Sequence, residues 1–161
     1  MDLMQWLLET LTGEFTLTML VSMVPVIELR GGIPFGVAAG LPVWAAYLAA
    51  VIGNLIPVPF IIIYIRRIFQ WMRQHMPKLN RLVDKLERKA HLKGQTVTKY
   101  KYLGLAILVA IPLPGTGAWT GALVAALLDM RLKKAIGPIV AGVLAAGILV
   151  SILTFGVSSI F

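Results

Sequence analysis

The 161-residue chain has no cysteine, only two histidines and only seven Asp and Glu. Without cysteine there can be no disulfide-stapled secreted fold, no thiol catalysis and no thiolate metal site. His75 and His91 stand singly, as solvated residues would, and no His/Asp/Glu set has metal-ligand spacing. No nucleophile is accompanied by a base, and no phosphate loop of the nucleotide-hydrolase kind is present, so no cofactor, catalysis or ATP drive is indicated. Charge is also scarce. Asp, Glu, Lys and Arg make up 14% of the chain, against about 25% in soluble domains, which excludes a soluble globular enzyme and a disordered chain.

Apolar residues take their place: 58% of the chain, with a mean hydropathy of +0.85. That surplus over the roughly 45–50% of soluble domains has to face lipid. The net charge of +8 would suggest nucleic acid in a soluble protein, but its distribution does not. Eleven of the 15 Lys and Arg fall within Arg66–Lys101, beside Asp84 and Glu87 as the only acids. A small polytopic membrane protein is expected, with the bilayer rather than nucleic acid as its partner.

Four uncharged runs organise the chain: Phe15–Ile27, Gly31–Ile65, Tyr102–Leu128 and Ala135–Phe161. A spanning helix needs about 20 apolar residues, so Val43–Ile65 and Ala135–Val157 can each cross with some tilt. The other two runs cannot. Phe15–Val24 meets Pro25, Glu28, Arg30, Gly31, Gly32 and Pro34 after ten residues, and Tyr102–Ile111 meets Pro112, Pro114, Gly115 and Gly117 after ten. Each limb rises only about 15 Å, half the hydrocarbon thickness. Irregular backbone at that depth is tolerated only when protein buries it or it lines a wet cavity, so both breaks read as tips of re-entrant hairpins. The returning limbs are expected at Pro34–Leu41 and Ala118–Leu128. Four full helices, the first being Phe15–Gly40, is the plain alternative.

The fold class expected is an all-α integral membrane protein, one domain over 1–161. Residues 1–65 form a first repeat with an N-terminal interfacial helix and a re-entrant hairpin. Residues 66–101 are a cytoplasmic basic linker helix, and 102–161 form a second, inverted repeat. Positive-inside bias places the linker, Arg131, Lys133 and Lys134 in the cytoplasm and both termini outside. Met1–Thr12 lacks a basic n-region and a cleavable h-region; Leu3, Leu7 and Leu11, with Trp6 and Leu8, suggest an interfacial helix instead. In the linker, Leu79, Leu82, Val83, Leu86 and Ala90 recur at helical spacing opposite Lys78, Arg81, Lys85, Arg88 and Lys89. Pro77 suits the first helical position and Gly94 a C-terminal cap. Such a helix should lie on the anionic inner leaflet, or dock a partner.

The candidate site is the pair of tips. Glu28 and Arg30, charged at mid-bilayer, face a cavity and pair with something, unless the stretch lies at the interface and merely ends a helix. Glu28 can exchange a proton. The returning limbs point their N-termini inward, where Gly31, Gly32, Gly115 and Gly117 let amides approach a ligand. Thr116 and Thr120 add hydroxyls, and Arg30 can fork to a phosphate or carboxylate, so an anionic headgroup fits. Pro34, Pro112 and Pro114 shape the breaks. The glycines also suit close helix packing, notably Gly36, Gly121 and Gly142. Trp119 either stacks on a substrate or fills space, and Asn54 is either a site group or a partner for carbonyls freed at Pro57 and Pro59.

The signatures Glu28-Leu-Arg-Gly-Gly-Ile-Pro34 and Ile111-Pro-Leu-Pro-Gly-Thr-Gly-Ala-Trp-Thr-Gly121 resemble those of the prokaryotic small multidrug export protein family, over nearly the whole chain. In outline that family is similar to the DedA-like membrane proteins, which implies two re-entrant hairpins and lipid or lipid-carrier movement. This second tip differs in carrying no charge. The resemblance and the residues together point to a transporter of the cytoplasmic membrane. It would move a small amphiphile by alternating access and proton coupling, as a homo-oligomer, most simply a dimer. A DedA-like flippase and a non-transporting scaffold that recruits a cytoplasmic partner are the alternatives.

Overall fold

A computed structural model describes residues 11–100, 102–113 and 115–156. The expected interfacial helix falls almost wholly at 1–10, and Pro114 at the second break, so both lie outside the described residues. All described elements are helical. A first hairpin pairs α1 (Leu11–Ser22) with α2 (Glu28–Ala38), and α3 (Val43–Leu55) runs through Ile56 into α4 (Pro57–His75). A 3-10 turn at Pro77–Leu79 leads into α5 (Asn80–Tyr100). A second hairpin pairs α6 (Tyr102–Ala110) with α7 (Ala118–Leu127), and α8 (Leu132–Phe155) closes the described chain.

Two stretches are long and apolar enough to cross a membrane: Val43–His75, with 33 residues, and Leu132–Phe155, with 24. They rise about 50 Å and 36 Å, against roughly 30 Å of hydrocarbon. Their outer faces expose Trp44, Phe60, Ile63, Ile148 and Leu153, an apolar band that a soluble monomer rarely shows. The hairpin limbs, of 9 to 12 residues, are half as long.

Three boundaries differ from the sequence reading. The first long helix runs ten residues past Ile65, because nothing stops it before Pro77, which forces Met76 out of helical geometry (φ −133°, ψ 71°). Arg66, Arg67 and Arg73 therefore belong to α4 and not to the linker. In the linker α5 continues through Gly94 to Tyr100; a helical glycine costs only about 1 kcal/mol. The returning limb of the first hairpin begins at Glu28, not Pro34. Pro34 sits inside α2 and forfeits one bond to the carbonyl of Arg30, while Gly31 keeps its bond to Ile27 at 3.0 Å. The first break is thus confined to Met23–Ile27.

The two hairpins open at opposite ends of the α3–α4 rod. Glu14, in the first turn of α1, lies beside Gly40 just after α2, so the first hairpin starts and finishes near the beginning of α3. The second finishes at Asp129, which pairs with Arg66 on α4. Helix α8 runs back beside α3, where the Tyr47 hydroxyl donates to the Leu144 carbonyl at 3.0 Å. Both outgoing limbs, α1 and α6, lie along the rods that follow them, α3 and α8. The returning limbs differ, since α2 stays on α3 whereas α7 leans chiefly on α4.

Small residues make this packing possible. Gly32 and Gly36 on α2 face Ser22 and Thr18 on α1, whose hydroxyls are turned back onto their own helix at 2.8 Å. Gly53 of α3 is so close to α1 that an added Cβ would run into the Met19 carbonyl, and Gly121 and Gly142 seat α7 and α8 against Val109 of α6. The core between them holds Leu29, Ile33, Leu105, Val109, Ile139 and Val143, all nearly inaccessible.

Two predictions follow from the packing. Gly53→Ala should lower stability by about 1–3 kcal/mol, because a backbone carbonyl cannot rotate aside. Gly137→Ala, where a Cβ meets nothing within 4 Å, should instead raise it by about 0.5–1 kcal/mol; thermal unfolding in detergent compares the two. The Arg66 hydrogen bond also holds the Asp129 carboxyl below its ordinary range. Its small, solvent-screened contribution is therefore present above the unfolded value of about 3.9 and is lost as pH falls through the lower folded one. Melting curves of wild type and Asp129→Asn should run parallel above about pH 5 and converge on the acid side.

Candidate functional site

Glu28 opens α2 with its backbone in the left-handed region (φ +49°), a conformation that costs about 1–3 kcal/mol in a non-glycine residue and persists only when its surroundings enforce it. Those surroundings are the other tip. The Glu28 side chain is buried, at 4% exposure, against Gly117, whose added Cβ would fall on the carboxylate. The Trp119 backbone N–H donates to Glu28 Oε1 at 3.4 Å. Gly117 caps α7 at φ 127° and Gly115 turns the chain at φ 80°, so glycine is required at both positions on conformational grounds. The carboxylate therefore occupies the N-terminal end of α7, where helix amides favour an anion.

Arg30, two residues along, reaches across to the same tip. Its Nη2 donates to the Thr116 carbonyl at 2.7 Å and to the Thr116 hydroxyl at 2.9 Å. That hydroxyl lies 2.6 Å from the Ile111 carbonyl and 2.7 Å from that of Leu113, either of which can accept its proton, and it accepts from the Leu113 N–H at 3.2 Å. Thr120 donates to the Gly115 carbonyl at 3.0 Å, and the Trp119 indole N–H donates to the Met23 carbonyl of the first tip at 3.2 Å. Each break thus satisfies part of its own backbone and part of the other's.

The joined tips wall a cavity of about 650 Å³, within the range of small-ligand sites. Glu28, Arg30, Gly115, Thr116, Trp119 and Thr120 form its polar end, and Ile61, Ile65, Phe69, Leu86 and Leu123 its apolar sides. Of the residues singled out from sequence, Gly117 stands behind Glu28 in a smaller adjoining chamber. Gly31, Gly32 and Pro34 lie within α2, where Gly31 and Gly32 face Ile27 and Ser22, and none of the three lines the described cavity wall. Pro112 shapes the second break without lining the described cavity wall. Lys78, Arg81, Lys85, Arg88 and Lys89 are all exposed, as expected of a surface face; Lys89 also reaches the cavity, which its position in a periodic basic stripe could not reveal. Asn54 is 1% exposed with its amide oxygen unpartnered. No group of three or more His, Cys, Asp or Glu suited to a metal occurs among the described residues.

The family model described as "Putative small multi-drug export protein" matches residues 28–149. The chain belongs to that family. The matched stretch begins at Glu28, directly after the first break, and contains the second break, all of α5 and most of α8. No curated protein and no solved structure matches the chain. Membership of a membrane-protein family agrees with the two apolar rods, and the family's description points to export rather than catalysis.

Gly117→Ala should destabilise the protein by about 1–3 kcal/mol through its positive φ alone, with a further penalty from collision with Glu28. A double-mutant cycle with Glu28→Ala should return a coupling of about 0.5–3 kcal/mol; additive effects would mean that the carboxylate is not seated on Gly117 in solution.

Proposed function

We propose that the protein is a transporter of the prokaryotic cytoplasmic membrane, built as an inverted repeat of re-entrant hairpin and span, that moves a small amphiphile past a midplane site formed by both tips. The observation that carries this reading is the contact of buried Glu28 and half-buried Arg30 with the second tip at one end of an apolar-sided cavity. Hairpins that open at opposite ends of the α3–α4 rod support entry from opposite faces of the bilayer. The cytoplasmic side is then that of α5, Arg66 and Arg131–Lys134, with the termini outside. An inverted repeat of this kind supplies two equivalent access states around one site.

An anionic headgroup is the favoured cargo end. The cavity is lined by Arg30 and Lys89 against one carboxylate, Glu28, and apolar side chains extend away from the charges as an amphiphile requires. Glu28, which faces the cavity and touches the other tip, is suited to carry the coupling proton, because neutralising it weakens the contact that holds the tips together. Two spans and two short hairpins make a thin wall, which a second copy would thicken.

Proteoliposomes with an imposed pH gradient and a fluorescent anionic amphiphile test this. Arg30→Ala should cut transport at least about tenfold, the cost of one charge-assisted hydrogen-bonding partner. Glu28→Gln should retain substrate binding but remove the dependence on the gradient. If wild-type liposomes move nothing, and charge reversal at Arg81, Lys85 and Arg88 alone abolishes the cellular phenotype, the scaffold reading replaces the transporter.

A further inference from the structure

The charged groups that line the large cavity are Glu28, Arg30 and Lys89. The first two offset each other and are held by the second tip, Glu28 by the Trp119 N–H and Arg30 by the carbonyl and hydroxyl of Thr116. Lys89 is different. It makes no ion pair with any described residue, and the acids of its own helix, Asp84 and Glu87, are both taken by Arg73 of α4, at 2.8 and 2.7 Å. The cavity therefore carries a surplus of a single positive charge, and that charge belongs to α5. Its place is fixed by the Arg73 pairs just before it in the helix and by Val83, which is wholly buried. Glu87 shares a second cleft with Phe69 and Leu127, which puts this part of α5 at the end of the α4 and α7 walls remote from the tips. Between the two ends the lining is apolar: Ile61, Ile65 and Phe69 follow one another along α4 over about 12 Å, with Leu123 of α7 and Leu86 of α5 beside them.

We infer that Lys89 selects the charge of the cargo, and that the cavity takes a single-tailed amphiphile whose headgroup carries a single negative charge, such as a carboxylate, sulfonate or phosphodiester. This rests on the reading of the cavity as the cargo site and adds which cation recognises the cargo. Arg30 already spends donors on holding the tips together. An ammonium on a flexible stem is a compact point charge, able to follow any of these headgroup shapes. Apolar walls focus the field of an unpaired charge, so an arriving anion gains at Lys89 what a cation loses. A second negative charge on the headgroup would find no partner in a low-dielectric space, and desolvation would oppose it. Lys89 is also exposed, so a headgroup can meet it from the surface before the tail enters. The volume of about 650 Å³ is that of one small-ligand site, and the apolar stretch along α4 suits one tail.

Binding tests this without transport. In the full chain carrying Trp6→Phe, Trp44→Phe and Trp71→Phe, the remaining tryptophan is Trp119 on the cavity wall. Reconstituted in phosphatidylcholine nanodiscs, it is titrated at fixed ionic strength with dansyl-undecanoate and with the matched dansyl-undecyl-trimethylammonium, energy transfer from Trp119 reporting occupancy. The carboxylate should bind more tightly than the ammonium compound. Lys89→Gln should weaken carboxylate binding about three- to tenfold, Lys89→Glu should reverse the preference, and Lys89→Arg should keep it. Lys85→Glu makes the same charge change on the same helix outside the cavity wall, and should move either affinity by less than about twofold. Equal shifts from Lys85→Glu and Lys89→Glu, or a carboxylate affinity that no Lys89 variant changes, would overturn Lys89 as the selector while leaving an anionic cargo to Arg30. A protein with Lys89 intact that prefers the ammonium compound, or takes up neither, would overturn the anionic cargo itself and this assignment with it.

Discussion

Two helix breaks in an apolar chain leave amides and carbonyls that lipid cannot satisfy, and the fold depends on each break supplying what the other lacks. An unpartnered backbone group away from water costs several kcal/mol. Arg30 provides donors for the Thr116 carbonyl, Trp119 provides its indole N–H for Met23, and Glu28 provides an acceptor for the Trp119 amide. The partners are 86 to 96 residues apart in the chain. Neither hairpin can therefore bury its tip unless the other is present. A single half of the molecule would expose a strained glutamate and a bare arginine, so the charges in the first tip act structurally as well as at the cavity.

That mutual dependence explains why small residues, glycine above all, line the contacts between the hairpin limbs and the rods. Hairpin limbs of about 15 Å have little surface with which to hold themselves. In a bilayer they gain no hydrophobic free energy by leaving lipid for protein, so close backbone approach has to do the work. The Thr18/Ser22 and Gly32/Gly36 faces, the Gly53 contact with Met19 and the Val109 contacts with Gly121 and Gly142 meet that need. The glycines at 115 and 117 are different in kind, because they are fixed by backbone dihedrals and by the carboxylate that lies on Gly117.

This difference marks what could be read from the sequence. Charge scarcity and run length revealed the two rods, the two short limbs and the basic helix, since these depend on local pattern and on the thickness of hydrocarbon. The pairing of Glu28 and Arg30 with the second tip was legible only as a requirement that buried charges find partners; nothing local named Thr116 or the Trp119 amide. Gly31, Gly32 and Pro34 do not break the helix as glycine and proline usually do, because Ile27 packs against Gly31, Ser22 of α1 packs against Gly32, and α2 absorbs one lost hydrogen bond. Lys89 was hidden in the sequence, and Asn54 was left between two readings. Lys89 looked like one more residue of the basic surface face, and Asn54 could be a site group or a partner for carbonyls freed at the prolines; its amide oxygen is buried and unpartnered.

The placement of α5 then connects the surface to the site. Arg73 on α4 bonds Asp84 at 2.8 Å and Glu87 at 2.7 Å, which fixes the start of α5 against the end of the long rod. Leu86 and Lys89, on the next turn, consequently face the cavity that begins at Glu28. The helix is strongly basic, so its attraction to an anionic leaflet and its grip on α4 act on the same short segment. Any motion that widens the cavity toward this side has to shift α5, break the Arg73 pairs or lift the basic face from the membrane. Each of those contacts is solvent-exposed and individually weak, whereas the tip contacts are partly buried and directional. A rearrangement that spends the weak set first would open the cavity at α5 while Glu28 and Arg30 still held the two tips together.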